Sequence, residues 1–230
     1  MNEYRPIPVR EVFAEYGGNV SALSSIMLAY LLGSIPPAYL VAHARGIDIR
    51  KVGDGNVGAA NVMRCLGFAP AAFAFTADVA KGALAILIAR HLSGQESVVL
   101  FAGVAVVAGH NWPITLGFRG GRGAATTIGV LFALLPFHVG IMFPLAAGTL
   151  WLSRNYTLSS VVMFATVPFF AYFTGAFLYL CAYAVALPCI VGLTTLARVH
   201  ALDPQLVRQS KAVGVDKRNG NVGQTRAKQP

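Results

Sequence analysis

Two glycine-rich stretches of this 230-residue chain gather most of the side chains that could do chemistry. The first is RGIDIRKVGDGNVGAANVMR (45–64), and the second is GHNWPITLGFRGGRGAATTIG (109–129). Glycine lets backbone N–H groups converge on a concavity, and a helix starting just downstream adds partial positive charge. Arginine supplies forked donors for phosphate oxygens. Together these features suit a phosphorylated small molecule. Gly120, Gly121, Arg122 and Gly123 are the anion-binding candidates, with Arg119 beside them. Thr126 can cap the following helix or touch phosphate. His110 can act as a base toward a hydroxyl, or bond to a neighbouring helix. Asn111 follows it, and Trp112-Pro113 reads as an interfacial anchor and a helix break. A third stretch, RNYTLSS (154–160), offers Ser159 and Ser160, which suit a helix N-cap. Asp78 and Lys81 lie three apart and read as a structural pair. GDGNVG has dinucleotide-fingerprint spacing, but no strand precedes it. No Ser-His-Asp set is visible and no thiol is suitably framed, so a covalent acyl-enzyme is not expected. Cys65, Cys181 and Cys189 read as buried thiols without metal-ligand spacing.

The elements that must position these residues are membrane spans. The chain is 56% hydrophobic and 12% charged, where a soluble domain carries about 25% charged residues. Its apolar residues come in blocks at 21–43, 70–90, 97–117, 124–136, 139–152, 159–173 and 176–197. The fourth and fifth are short against a hydrocarbon core of about 30 Å, and one span over 124–152 is the rival reading. Charge favours the split. Arg45, Arg50, Lys51 and Arg64 after the first block, and Arg198, Arg208, Lys211, Lys217, Arg218, Arg226 and Lys228 in the tail, should share the cytoplasmic side. Seven spans allow that and six do not. The expectation is therefore an all-α integral membrane protein, a seven-span helical bundle with its N-terminus outside and its C-terminus cytoplasmic. Residues 1–20 form a polar N-terminal segment, 21–198 the membrane domain, and 199–230 a basic, disordered cytoplasmic tail. The first twenty residues lack the order of a cleavable signal peptide. The net charge of +9 fits a tail near anionic lipid, with no nucleic-acid partner.

LLGSIPPAYL, DIRKVGDGNVGAANVMRCLG, DVAKG, the 109–129 stretch and RNYTLSS, in this order, resemble the bacterial acylphosphate-dependent glycerol-3-phosphate acyltransferases, the PlsY family. The resemblance implies a seven-span inner-membrane enzyme with its active site facing the cytoplasm. It implies acyl transfer from acyl phosphate to glycerol 3-phosphate, giving lysophosphatidic acid in phospholipid biosynthesis. No metal and no other cofactor is implied. The partners it implies are the two substrates and membrane lipid, with an acyl-phosphate-producing enzyme as a further candidate.

Carried over residue by residue, the resemblance makes Arg64, His110 and His200 the catalytic candidates. Asp54, Gly55, Asn56, Gly58, Asn61, Asn111, Arg119, Gly120, Gly121, Arg122, Gly123, Thr126, Ser159 and Ser160 become the substrate-binding candidates. Asn56 and Asn61 can hold the loop or donate to an ester-like oxygen. Four positions depart from the family pattern. Asp54 stands in place of a serine, Ala60 in place of a threonine and Arg122 in place of a lysine. The C-terminal His-x-Glu-Asn motif has only His200 near it, one position out of register. A carboxylate at 54 should repel anionic substrates unless Arg64 or Arg50 pairs with it. These departures leave open a catalytically weak or re-specialised paralogue that binds lipid or a partner membrane enzyme.

Overall fold

The computed structural model describes residues 9–201, with side chains described over 20–196. His200 and the tail from 202 onward lie outside the residues whose side chains are described. Among the described residues there are nine α-helices and no strand: α1 (Val9–Gly33), α2 (Pro37–His43), α3 (Ala59–Leu66), α4 (Phe68–Leu92), α5 (Glu96–Asn111), α6 (Ala124–Leu134), α7 (Pro136–Ser153), α8 (Tyr156–Phe173) and α9 (Leu178–Ala201).

Local sequence explains the breaks. Pro36 and Pro37 interrupt the first apolar block, and Pro37 opens α2 at the position that tolerates a missing N–H. Helix α1 begins at Val9, inside the stretch expected to be a polar extension. Helix α5 stops at Asn111, ahead of Trp112-Pro113 and a single 3₁₀ turn at Ile114–Leu116. The chain breaks again at Leu135, where Pro136 starts α7, so 124–152 does not run as one helix.

Among the described residues, six helical segments are long and apolar enough to cross a membrane, and α6 is a shorter apolar helix. Its 11 residues span only about 16 Å. Large apolar side chains, Phe73, Phe101, Phe143, Leu152 and Phe173 among them, point away from the protein, as a lipid-facing surface requires. Cys189 is exposed, unlike the buried thiol expected from sequence, while Cys181 is buried and Cys65 half-buried.

Two helix pairs approach closely where both helices carry glycine. A Cβ on Gly82 of α4 would strike Thr126 O of α6, and one on Gly129 of α6 would strike Val79 O. Gly33 and Gly109 serve α1 and α5 in the same way, against Val106 O and Tyr30 O. In lipid, where burying apolar surface drives little association, such backbone contact is a main source of packing energy. It also brings α4, α5 and α6 together beneath the polar loops.

Candidate functional site

The first polar loop, between α2 and α3, folds around one amide side chain. Asn61 is fully buried. Its Nδ2 donates to Ile49 O at 3.1 Å, Val52 O at 3.0 Å and Asn56 O at 3.1 Å. Its Oδ1 accepts from Asp54 N at 3.2 Å. Gly53 and Gly55 flank Asp54 with φ of +63° and +67°, a left-handed region that favours glycine. Beneath the loop, Ile49, Val57 and Val62 pack with Ala38, Ala42, Ala71 and Ala74 into a small core of their own. Each of the three larger side chains contributes about 1.5–3 kcal/mol by burial. Arg50 binds Asp48 through two parallel contacts of 2.9 Å, so it is not Asp54's partner. That guanidinium holds the Asp48 carboxyl below the usual carboxylate range. Burial, and then the charge of Asp54, push the Cys65 thiol up, which disfavours a thiolate nucleophile there.

The second loop, between α5 and α6, is seated on the end of α5. The N–H of Gly120 donates to Asn111 O at 3.2 Å and that of Gly121 to His110 O at 3.0 Å. A Cβ on Gly121 would collide with His110 Nε2 and lie 2.6 Å from Val57 O of the first loop. Gly123, at φ +87°, is the N-cap of α6. Under this seat lies a buried ionic cluster. Lys81 Nζ sits 2.8 Å from Asp78 Oδ1. It donates to Gly33 O at 3.0 Å and Ile35 O at 2.9 Å. His110 Nδ1 lies 3.2 Å from Asp78 Oδ1 and 2.9 Å from Lys81 Nζ. The cluster therefore joins α4, α5 and the break after α1.

The loops meet at Asp54. Its Oδ2 lies 2.9 Å from Arg64 Nη1 and 3.3 Å from Arg122 Nη2. Two guanidiniums, one from the last turn of α3 and one from the second loop, thus converge on one carboxylate oxygen. Several polar atoms of the first loop, of Arg122 and of the first turn of α6 stay unsatisfied within the protein. Among the described residues, Asn56 Oδ1, Arg122 Nε and the hydroxyls of Thr126 and Thr127 are buried without a hydrogen-bond partner. Such groups are costly to leave unmade. The arrangement offers cations and polar groups to an anion held between the loops. Among the described residues no three His, Cys, Asp or Glu side chains are placed to hold a metal ion.

A family model described as glycerol-3-phosphate acyltransferase matches residues 23–201, which includes every one of these contacts. The chain belongs to that family. It is 45% identical over 143 residues to glycerol-3-phosphate acyltransferase 1 of Deinococcus radiodurans, covering 62% of this chain and 72% of the relative. It is 41% identical over 174 residues to glycerol-3-phosphate acyltransferase 4 of Dehalococcoides mccartyi, covering 75% of this chain and 94% of the relative. Its fold resembles the crystal structure of PlsY (YgiH), an integral membrane glycerol 3-phosphate acyltransferase, in its glycerol 3-phosphate form. The TM-score is 0.71 at 32% identity, over 83% of this chain and 94% of that one. The lysophosphatidic acid form gives 0.70 at 31% identity. The all-helical architecture is that of an integral membrane acyltransferase.

Within this member of the glycerol-3-phosphate acyltransferase family, the sequence candidates separate. Asp54, Asn56, Arg64 and Arg122 come together, and Thr126 lies in the first turn of the helix that Arg122 precedes. Asn61 and Gly58 are turned into the first loop, where Gly58 O accepts from Asn61 N and Val62 N. Asn111 is fully buried, and its Nδ2 reaches Thr194 Oγ1 of α9 at 3.4 Å. Arg119 is exposed.

Three expectations need correcting. Gly120 and Gly121 do not keep their N–H groups for an anion, because carbonyls at the end of α5 take them; close approach is what needs glycine there. Ser159 and Ser160 are not N-caps. Asn155 caps α8, accepting from Thr157 N and Leu158 N. The serine hydroxyls donate instead to Ala146 O and Tyr156 O, away from both loops. Thr126 is not a cap either, since Gly123 holds that place with no side-chain bond. The expected Asp78–Lys81 pair and a bond from His110 to a neighbouring helix are both present, but sequence reasoning missed that the two are one cluster. The signal was present: two opposite charges in one apolar span and a histidine in the next.

Proposed function

We propose that this chain transfers a fatty acyl group from acyl phosphate to glycerol 3-phosphate, with the reaction held where Arg64 of α3 meets Arg122 of the second loop, at the cytoplasmic face of a bacterial inner membrane. Acyl transfer to glycerol 3-phosphate in phospholipid synthesis follows from the family to which the chain belongs. The acyl phosphate donor, the membrane side and a seven-span topology with the N-terminus outside are further parts of the proposal. The observation that carries it is the convergence of Arg64 and Arg122 beside buried, unsatisfied polar atoms. Both substrates are anions and one product is phosphate, so two converging cations suit the reaction.

The chemistry is direct attack. The glycerol hydroxyl oxygen forms a bond to the acyl carbonyl carbon, and the bond from that carbon to the phosphate oxygen breaks. The hydroxyl proton leaves with the phosphate as hydrogen phosphate, so charge and atoms balance without a covalent enzyme intermediate. The loops contribute positioning and charge neutralisation. Arg64 and Arg122 neutralise phosphate charge. His110, locked to Asp78 and Lys81, holds the second loop in place and has a positioning role.

The test supplies purified protein in lipid with glycerol 3-phosphate and compares acyl phosphate with acyl-CoA as donor. Lysophosphatidic acid should form from acyl phosphate alone. Product from acyl-CoA alone would overturn the donor assignment. No product from either donor, with the protein folded, would overturn the activity and favour the weak-paralogue reading.

A further inference from the structure

We propose that Asp54 is a positioning residue that ties Arg64 and Arg122 into a single anion-binding pair, so that phosphate is taken by the pair and not by either arginine alone. This rests on the reading that the site takes a phosphate.

The geometry gives the carboxylate an anchor of its own. Asp54 N donates to Asn61 Oδ1 at 3.2 Å, and Asp54 Oδ1 accepts from Asn56 N at 3.2 Å. Asn61 is itself immobilised by three backbone carbonyls. The carboxylate is therefore fixed by its loop, whether or not the arginines are present. The arginines are long side chains from separate segments. Arg64 lies on α3 with 48% of its side chain exposed, and Arg122 precedes α6 with 23% exposed. Without a shared counter-ion, two guanidiniums this close would repel and swing apart.

Each arginine also spends little on the tie. Arg64 uses Nη1 and Arg122 uses Nη2, both on the same oxygen. The Nε of Arg122 remains buried without an acceptor among the described residues. Donors are thus left over on a preorganised pair, which lowers the ordering cost of binding an anion.

A simple charge argument predicts the opposite, and that makes the proposal testable. Asp54→Asn keeps the shape and the acceptor for Asn56 N but raises the net charge of the site by one. If the carboxylate merely competes with the ligand, phosphate should bind more tightly. If it positions the arginines, phosphate should bind more weakly.

Inorganic phosphate is titrated calorimetrically into the full chain in lipid nanodiscs, with no turnover needed. Asp54→Asn should weaken binding about tenfold, the loss of roughly one charge-assisted hydrogen bond, with Asp54→Glu falling between the two. Arg64→Gln should cost much in the parent and little in the Asp54→Asn background, because the pair is already broken. Equal or tighter binding to Asp54→Asn, or losses that add, would overturn the proposal. Should Asp54→Asn not give a monodisperse protein, Asp54→Glu decides: weaker binding supports positioning, and unchanged binding overturns it. A parent chain that binds phosphate in this way yet makes no lysophosphatidic acid would sink the proposed reaction alone. An active parent whose phosphate affinity ignores Asp54 would sink this inference alone.

Discussion

The two polar loops look alike in sequence and are built differently. The first is organised by a side chain: Asn61 reaches into the loop and engages four backbone groups. The second is organised by the absence of side chains. Gly120 and Gly121 lie so close to His110 that no Cβ fits. Polar atoms hold one loop, and close backbone approach to a charged, buried floor holds the other. The lesson is that glycine-rich polar sequence marks a place where backbone is used, without saying whether it binds a ligand or its own neighbour. In the proposed site the groups left for a ligand are the two arginines and the unsatisfied Asn56 Oδ1 and Arg122 Nε.

The strongest way to break the comparison is to remove the floor under the second loop. Lys81→Met leaves Asp78 buried with only His110 beside it, and removes the donor to Gly33 O and Ile35 O. Losing one partner of a buried pair costs about 3–5 kcal/mol. We expect a fall of that order in unfolding free energy. Hydrogen exchange should rise at 119–123 before it rises at 49–61. Equal loss of protection in both loops would show that they share one support.

A smaller effect should separate the loops by mechanism. Asn61→Ala strands buried backbone groups in the first loop and should cost about 1–3 kcal/mol. Gly121→Ala adds volume where His110 and Val57 O leave none, and should cost about 1–3 kcal/mol by overpacking. Exchange should localise each defect: 49–58 in the first variant, 109–123 in the second. Deletion damaging one loop and addition the other is the signature; the reverse pattern would contradict it.

This division was only half legible in the sequence. Apolar block length and Trp112-Pro113 located helix breaks in the sequence, whereas Pro36-Pro37, which lacks N–H groups and fixes φ, sat unread inside the block at 21–43 and splits α1 from α2. The residues that would form the site could also be read, because arginine, asparagine and glycine are conspicuous in an apolar chain. Their directions could not. Whether Asn61 faces loop or ligand, or whether Gly121 spends its N–H on α5, depends on tertiary register that spacing does not encode. Ser159 shows the same limit. It resembles a cap by type, but Asn155 lies four residues earlier and starts the helix first. For the Asp54 departure the sequence offered Arg64 or Arg50 as a partner; the structure selects Arg64 and adds Arg122 on the same oxygen, which spacing did not reveal.

Thr126 sharpens the ligand side of the comparison at smaller cost. Its hydroxyl is fully buried and has no partner among the described residues. Thr126→Val removes that unmade hydrogen bond and keeps the volume. Replacing an unsatisfied buried hydroxyl is near neutral or mildly stabilising. We therefore expect unchanged or higher thermal stability, with the KM for glycerol 3-phosphate raised about tenfold if the hydroxyl meets substrate. An unchanged KM would place Thr126 in the helix core alone.

The smallest effect concerns pH, and it should touch only the first loop. Asp48 is held below the ordinary carboxylate value of about 3.9, first by the side-chain bond from Arg50. A carboxyl whose folded value is depressed contributes stability above its unfolded value. That contribution is lost as pH falls through the lower folded one. Arg50 and Asp48 have side chains 35% and 24% exposed, so solvent screening limits the pair to about 1 kcal/mol or less. The stability gap between the parent and Asp48→Asn should thus be constant at neutral pH and close as pH drops below about 4. The 109–129 stretch contains no Asp or Glu, so its exchange rates, corrected for intrinsic chemistry, should be the same in parent and variant across that window. A gap that widened toward acid would mean that Asp48 is more stabilising protonated, and that Arg50 does not stabilise its charge.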